Sequence, residues 1–267
     1  MRVKLVAIDV DGTLLNDQYE ITDRTKKALA EMRESGAKIV LATGRGPGSC
    51  YPIMDELRLE DHIITHNGAV VLDARTKEIS FEIGFQASDL LPLITYCRQE
   101  KIHFDVNTAL ELYIEGVTSE AEWMYEKFFM TPNKVSSASS LENQIVKFTL
   151  FGDEEKMDKT FSEIHPRFPQ LSIIRSGEQF IDVIHPNATK GNALKKLTEW
   201  YGIEAQEVVA FGNYFNDLEM LQFAGLGVAM QNSPEEVKRL ADRVSVSNNE
   251  HGVAVVLEEI LAEKIKY

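Results

Sequence analysis

The stretch that decides the fold is VKLVAIDVDGT, residues 3–13. Val3 to Ile8 are nearly all aliphatic, and the run predicts a short strand over 3–10 that is buried on both faces, as a parallel sheet requires. The strand ends by presenting two carboxylates, Asp9 and Asp11, followed by Gly12 and Thr13. Neighbouring carboxylates repel each other and are costly to desolvate. A solvated Asp-Gly turn is the plain reading of that pair. The rest of the chain argues for a site instead.

Outward from this strand, the first third alternates strand and helix. ITDRTKKALAEMRESG reads as a helix with Thr22 as N-cap and Gly36 as stop, and AKIVLATGR as the next strand. PGSCYPIMDELRL is a helix with Pro47 in its first turn, HIITHNGA a third strand, and VVLDARTKEISFE a hairpin. This βαβαβ pattern predicts parallel strands with right-handed crossovers. The middle changes character. Helices in ASDLLPLITYCRQE, SEAEWMYEKFFM and EEKMDKTFSEIH stand among strands in ALELYIEG and QIVKFTLFGD. LSIIRSGEQFIDVIHP gives two more strands around a Ser-Gly turn. The last part returns to strand and helix: TKGNALKKLTEWYG, EVVAFGN, FNDLEMLQFA, GLGVAM, SPEEVKRLA, RVSVS and HGVAVVLEEILAE. The expectation is an α/β core from residues 1–82 and 187–267, with an α+β domain, 83–186, inserted between its halves.

Composition narrows the partners. The chain has 267 residues, is 44% hydrophobic, and carries a formal net charge of -14 with a pI near 4.9. That balance speaks against nucleic acid or an anionic membrane as partner, since both call for a basic surface. No apolar run approaches the roughly 18 residues of a membrane span, and the N-terminus enters a strand directly, unlike a signal peptide. Two cysteines, Cys50 and Cys97, make neither a disulfide framework nor a zinc set and fit a reducing cytosol. His66 and His185 lie near interesting loops but read as structural or solvated. A cytoplasmic protein, monomer or homodimer, is the expectation, and a local basic pocket would leave room for a small phosphorylated metabolite.

Ligands in an open α/β sheet bind beyond the carboxyl ends of its strands. Those ends offer Asp9 and Asp11, then Thr43, Gly44 and Arg45, then Gly212, Asn213, Asn216 and Asp217. Lys190 opens a helix, where it faces the positive end of the helix dipole. An anion at that spot would resolve the conflict; a solvated lysine is the plain alternative. GRGPGS, residues 44–49, is neither a Walker loop nor a dinucleotide fingerprint and by itself reads as a turn and helix start. Taken together, two carboxylates and an Asn/Asp loop can hold Mg²⁺ through oxygen. A hydroxyl, backbone amides and a lysine can hold phosphate. A carboxylate beside a metal can attack phosphorus, and a second can protonate the leaving alcohol and later activate water.

DVDGTLL, LATGR, TKG and GNYFNDLEML resemble, in order and spacing, the four motifs of the haloacid dehalogenase superfamily. THNGA and the large insertion between motifs two and three are similar to its Cof-like sugar-phosphatase branch. The resemblance implies a Rossmann-like core with the nucleophile strand central and a cap that closes over substrate. It further implies a Mg²⁺-dependent phosphatase acting on small phosphorylated metabolites, sugar phosphates first among them, through an aspartyl-phosphate. In that scheme Asp9 is nucleophile and metal ligand, and Asp11 is acid/base with its carbonyl on the metal. Thr43, Gly44, Lys190 and Asn216 hold phosphate, Asn213 and Asp217 complete the metal loop, and Arg45 and Asn67 contact substrate. Asn213 departs from the pattern, which has aspartate there. A non-catalytic phosphoester-binding protein is therefore the rival expectation, and a phosphomutase, using the same nucleophile, a third.

Overall fold

The computed structural model describes residues 2–127 and 131–262. The first elements are β1 (Leu5–Ile8), α1 (Asp23–Glu34), β2 (Lys38–Leu41), α2 (Pro47–Leu57), β3 (His62–Thr65), β4 (Val70–Asp73) and β5 (Ile79–Glu82). Next come α3 (Leu91–Gln99), β6 (His103–Asn107), β7 (Leu112–Ile114), α4 (Ser119–Lys127), β8 (Asn133–Lys134), β9 (Lys147–Phe151), α5 (Glu154–Arg167), β10 (Ser172–Gly177) and β11 (Phe180–Ile184). The chain continues with α6 (Lys190–Tyr201), β12 (Val208–Gly212), α7 (Leu218–Phe223), β13 (Leu226–Ala229), α8 (Glu235–Leu240), β14 (Arg243–Val244) and α9 (Gly252–Leu261). Contacts divide it into Met1–Ser80 with Thr189–Tyr267, and Phe81–Ala188.

The first unit is built on a parallel sheet ordered β14-β13-β12-β1-β2. β1 lies inside it, between β12 and β2, and Leu5, Val6, Ala7 and Ile8 are all 0% exposed. That is why the opening run is apolar without alternation. Thr22 caps α1 by accepting from the Thr25 N–H, so the expected helix start holds. Just past β2, Ala42 makes an isolated parallel bridge to Ile64 of β3. β3 then pairs antiparallel with β4 in a separate three-stranded sheet, β3-β4-β5. The expected third parallel strand is thus the first strand of a meander.

The second unit is a six-stranded sheet, β10-β11-β9-β6-β7-β8, antiparallel except for β7 with β8. Phe104, Phe148, Leu150 and Val183 bury one face with Leu93, Ile94 and Cys97 of α3 and Met157 and Ile164 of α5. The opposite face carries Asp105, Thr149 and Asp182 in one register row. Asp105 is buried there, accepting from Asn107 Nδ2 at 3.0 Å and Tyr125 Oη at 3.2 Å. Two sequence expectations change in this unit. β6 and β8 were not anticipated. The turn between β10 and β11 falls at Glu178–Gln179 rather than Ser-Gly, because Ser176 and Gly177 still belong to the strand. The helix expected through Met130 is described as far as Lys127, and Phe128 to Met130 lie outside the described residues. Cys50 and Cys97 are free and buried. Burial pushes each thiol up to about 12, so neither is reactive at neutral pH.

Candidate active site

Asp9 follows the last residue of β1, and its N–H donates to the Phe211 carbonyl at 2.9 Å. The chain then makes a wide turn, closed by the Leu14 N–H on the Asp9 carbonyl at 3.2 Å and the Leu15 N–H on the Val10 carbonyl at 3.0 Å. Gly12 sits inside the turn at φ +74°, a conformation side chains rarely adopt, and a Cβ there would run into the Asn213 amide. This turn separates the two carboxylates: Asp9 is 5% exposed, while the Asp11 side chain is 49% exposed.

Lys190 is the first residue of α6, behind the N-cap Thr189. Its Nζ is fully buried and donates to Asp9 Oδ1 at 2.7 Å and to Asp217 Oδ1 at 2.6 Å. The lysine therefore sits at the positive helix end because two carboxylates hold it there. Asp217 Oδ2 accepts the N–H groups of Asn213 and Tyr214 at 2.8 and 3.0 Å. Both Asp217 oxygens are thus engaged, one on the lysine and one on its own loop. Burial, then the charge of Asp217, pushes the Asp9 carboxyl up to about 7, against the pull of Lys190 and Thr13. Burial alone would lower the Lys190 ammonium, but the two carboxylates outweigh it and raise it. One cation shared by two buried anions leaves that pocket one positive charge short.

The second oxygen of Asp9 faces the missing charge. Oδ2 accepts from Thr13 Oγ1 at 2.8 Å. The Asn213 side-chain amide stands 3.1 Å from Asp9 Oδ2 and 3.1 Å from the Asp11 carbonyl. With its NH₂ inward, it donates to both. With its oxygen inward, that oxygen lies 3.3 Å from the Thr13 hydroxyl, and a carboxylate, a carbonyl and an amide oxygen converge, an arrangement suited to a hard cation such as Mg²⁺. Among the described residues no three His, Cys, Asp or Glu side chains gather as a metal-ligand set. The oxygens that fit a cation come instead from one side-chain carboxylate, one backbone carbonyl and one amide.

The remaining predicted residues form a neighbouring arm. Thr43 is buried, and its hydroxyl accepts the Arg45 N–H at 3.1 Å. Its carbonyl accepts the Asn67 N–H at 2.9 Å. Gly44 packs against the Asn67 amide, where a Cβ would lie 3.0 Å from Oδ1. Asn216 Nδ2 donates to Asn67 Oδ1 at 2.9 Å, tying this arm to the Asp217 loop. Arg45 turns its guanidinium onto the Asp11 carboxylate. His66 is buried beside Gly46. Two contributors carried no role in the sequence reading. Thr13 is visible inside DVDGT, four residues after the carboxylate it touches. Asn232, which donates to the Gly12 carbonyl at 2.8 Å, comes from the loop after β13 and leaves no sequence signal.

A buried carboxylate at the end of a central parallel strand, backed by a lysine and opened toward a cluster of oxygens, defines a class. The sequence profile of the haloacid dehalogenase-like hydrolases matches residues 6–257, and the chain belongs to that family. YxeH of Bacillus subtilis (strain 168) is 34% identical over 98% of this chain and 99% of its own length. YcsE of the same organism, named a 5-amino-6-(5-phospho-D-ribitylamino)uracil phosphatase, is 29% identical over 94% of this chain and 93% of its own. The crystal structure of a haloacid dehalogenase-like hydrolase from Bacteroides thetaiotaomicron superposes with a TM-score of 0.86 at 29% identity, covering 97% of this chain and all of that one. Within its family the chain is an enzyme of the phosphatase class.

Proposed function

We propose that the protein is a Mg²⁺-dependent phosphatase for small phosphorylated metabolites, with sugar or sugar-alcohol phosphates as the substrate class. The observation that carries the reading is the frame around Asp9: one oxygen on Lys190 and the other in the oxygen cluster of Asn213 and the Asp11 carbonyl. That frame aims the carboxylate, and a cation in the oxygen cluster would favour its ionised form, which a nucleophile needs. Asp9 Oδ2, the Asp11 carbonyl and Asn213 Oδ1 would hold Mg²⁺, which when bound lowers the repulsion between Asp9 and an anionic phosphate.

The chain's own groups divide the work. Asp9 forms a bond to phosphorus as the bond from phosphorus to the ester oxygen breaks, and Asp11 gives that oxygen its proton. A water then bonds to phosphorus, Asp11 takes a proton from it, and the aspartyl bond breaks to release phosphate. Lys190, the Thr43 hydroxyl and the Gly44 N–H would bind phosphoryl oxygens. A phosphorylated ribityl chain appears in the name of the YcsE relative, which supports a polyol phosphate as substrate.

A panel of phosphate esters, assayed with Mg²⁺ and with chelator, tests the reading. Turnover of at least one polyol phosphate with Mg²⁺, and its loss in chelator and in Asp9→Asn, is the expected result. Asp9→Asn turning over at the wild-type rate, or full activity in excess chelator, refutes it.

A further inference from the structure

Arg45 was expected at the substrate, but its guanidinium is spent on the protein. Nε donates to Asp11 Oδ2 at 2.8 Å and Nη2 to Asp11 Oδ1 at 2.6 Å, a two-point grip on one carboxylate. Both ends of the Arg45 backbone are fixed as well. Its N–H donates to the Thr43 hydroxyl at 3.1 Å, and its carbonyl accepts the His66 N–H at 2.9 Å. The loop that follows β2 is thus a rigid mount for the guanidinium. Asp11 has no other side-chain partner among the described residues, and its side chain is 49% exposed. A half-exposed aspartate on a turn would otherwise sample several staggered rotamers.

We propose that Arg45 is the positioning residue for Asp11: its side-on grip holds the proton-transferring carboxylate in one plane and at one reach from the phosphoryl site. The proposal rests on the reading of Asp11 as the acid/base group. Parallel N–H bonds from a planar guanidinium set orientation as well as distance. A lysine ammonium, a single point of charge, sets distance alone. Proton transfer to a leaving oxygen requires hydrogen-bond reach and alignment, so an Asp11 free to turn spends most of its time unproductive. Arg45 acts through Asp11 and does not itself touch the reacting atoms.

A double-mutant cycle on kcat/KM with an alkyl phosphate reads this directly. Arg45→Met and Asp11→Asn each lower kcat/KM by about 100-fold or more, the scale of general acid catalysis. The double variant is no worse than Asp11→Asn alone, because the residue that Arg45 positions is already disabled. Arg45→Lys recovers only a small part of the loss. Losses that multiply in the double variant show that Arg45 acts on the substrate and overturn the proposal, as does full activity of Arg45→Lys. Crystal structures of wild type and Arg45→Met pose the same question without turnover. Asp11 in one rotamer in the first and spread over several, or displaced, in the second is the expected result. An unchanged single rotamer in Arg45→Met overturns the proposal. If the wild type turns over no ester, the phosphatase reading fails, and the crystallographic comparison still decides whether Arg45 holds Asp11.

Discussion

Replacing Asn213 by aspartate has opposite consequences with and without a cation. In the wild type the amide can present either its NH₂ or its oxygen to Asp9 Oδ2 and the Asp11 carbonyl, each 3.1 Å away. Without metal, the NH₂ satisfies both acceptors. A carboxylate in its place has no donor to offer and brings a second negative charge within about 3 Å of buried Asp9. Two unit charges at that separation, in an effective dielectric of about 20, repel by about 5 kcal/mol. Protonation of one carboxyl and small movements relieve part of that, so metal-free Asn213→Asp is expected to be less stable by about 1–3 kcal/mol. Binding Mg²⁺ reverses the sign, since the added charge now faces a cation. The same 1–3 kcal/mol corresponds to an affinity higher by about 5- to 150-fold. Thermal melts in chelator and in saturating Mg²⁺, with calorimetric Mg²⁺ titration of both proteins, measure each part without relying on turnover. Wild-type melting below the variant in chelator, or overlapping titrations, would refute the reasoning and remove Asn213 from the cation site.

Lys190→Met leaves Asp9 and Asp217 buried beside each other without their shared cation. In chelator, denaturant unfolding is expected to show a loss of about 3–5 kcal/mol; a loss under 1 kcal/mol would mean the pair finds relief elsewhere. Asp105, in the second unit, has its carboxyl pushed up to about 6 by burial from an ordinary 3.8. A raised folded pKa means the folded state binds the proton more tightly, so this group's stabilisation is full below about pH 3.8 and is lost as pH rises through 6. That shift is worth at most about 3 kcal/mol. Urea midpoints for Asp105→Asn should therefore fall less between pH 4 and 7 than those of the wild type, and an equal slope in both proteins would show that another group sets it.

The βαβ pattern of the first unit was legible because each strand announces itself. A strand buried on both faces must be continuously apolar; β1 and β12 are, and β2 is after Lys38. The strand ends were equally legible, since carboxylates, glycines and amides at the end of an apolar run have few structural reasons to be there. β6 was missed because His103, Asp105 and Asn107 alternate with only two apolar residues, Phe104 and Val106. What makes HFDVN a strand is its pairing with β9 and β7, which no local pattern encodes. The β4-β5 hairpin was legible in VVLDARTKEISFE, but the antiparallel pairing of β3 with β4 escaped notice for the same reason: pairing direction belongs to the assembled sheet.

By itself the sequence determined the central strand, the Thr22 helix cap, the family motifs and most of the residues that the structure gathers around Asp9, because these follow from local periodicity and residue chemistry. Only the tertiary structure decided who partners whom. Lys190 lies 181 residues from Asp9, so that one ammonium serves both Asp9 and Asp217 can be known only once α6, β1 and β12 are packed. The same holds for Arg45: its charge suits a phosphate or a carboxylate equally, and its allocation to Asp11 was settled by the turn that points Asp11 outward and the loop that mounts the guanidinium beside it. Residue type limits what a side chain can do, but distance and burial, which the chain acquires only on folding, select which of those things it does.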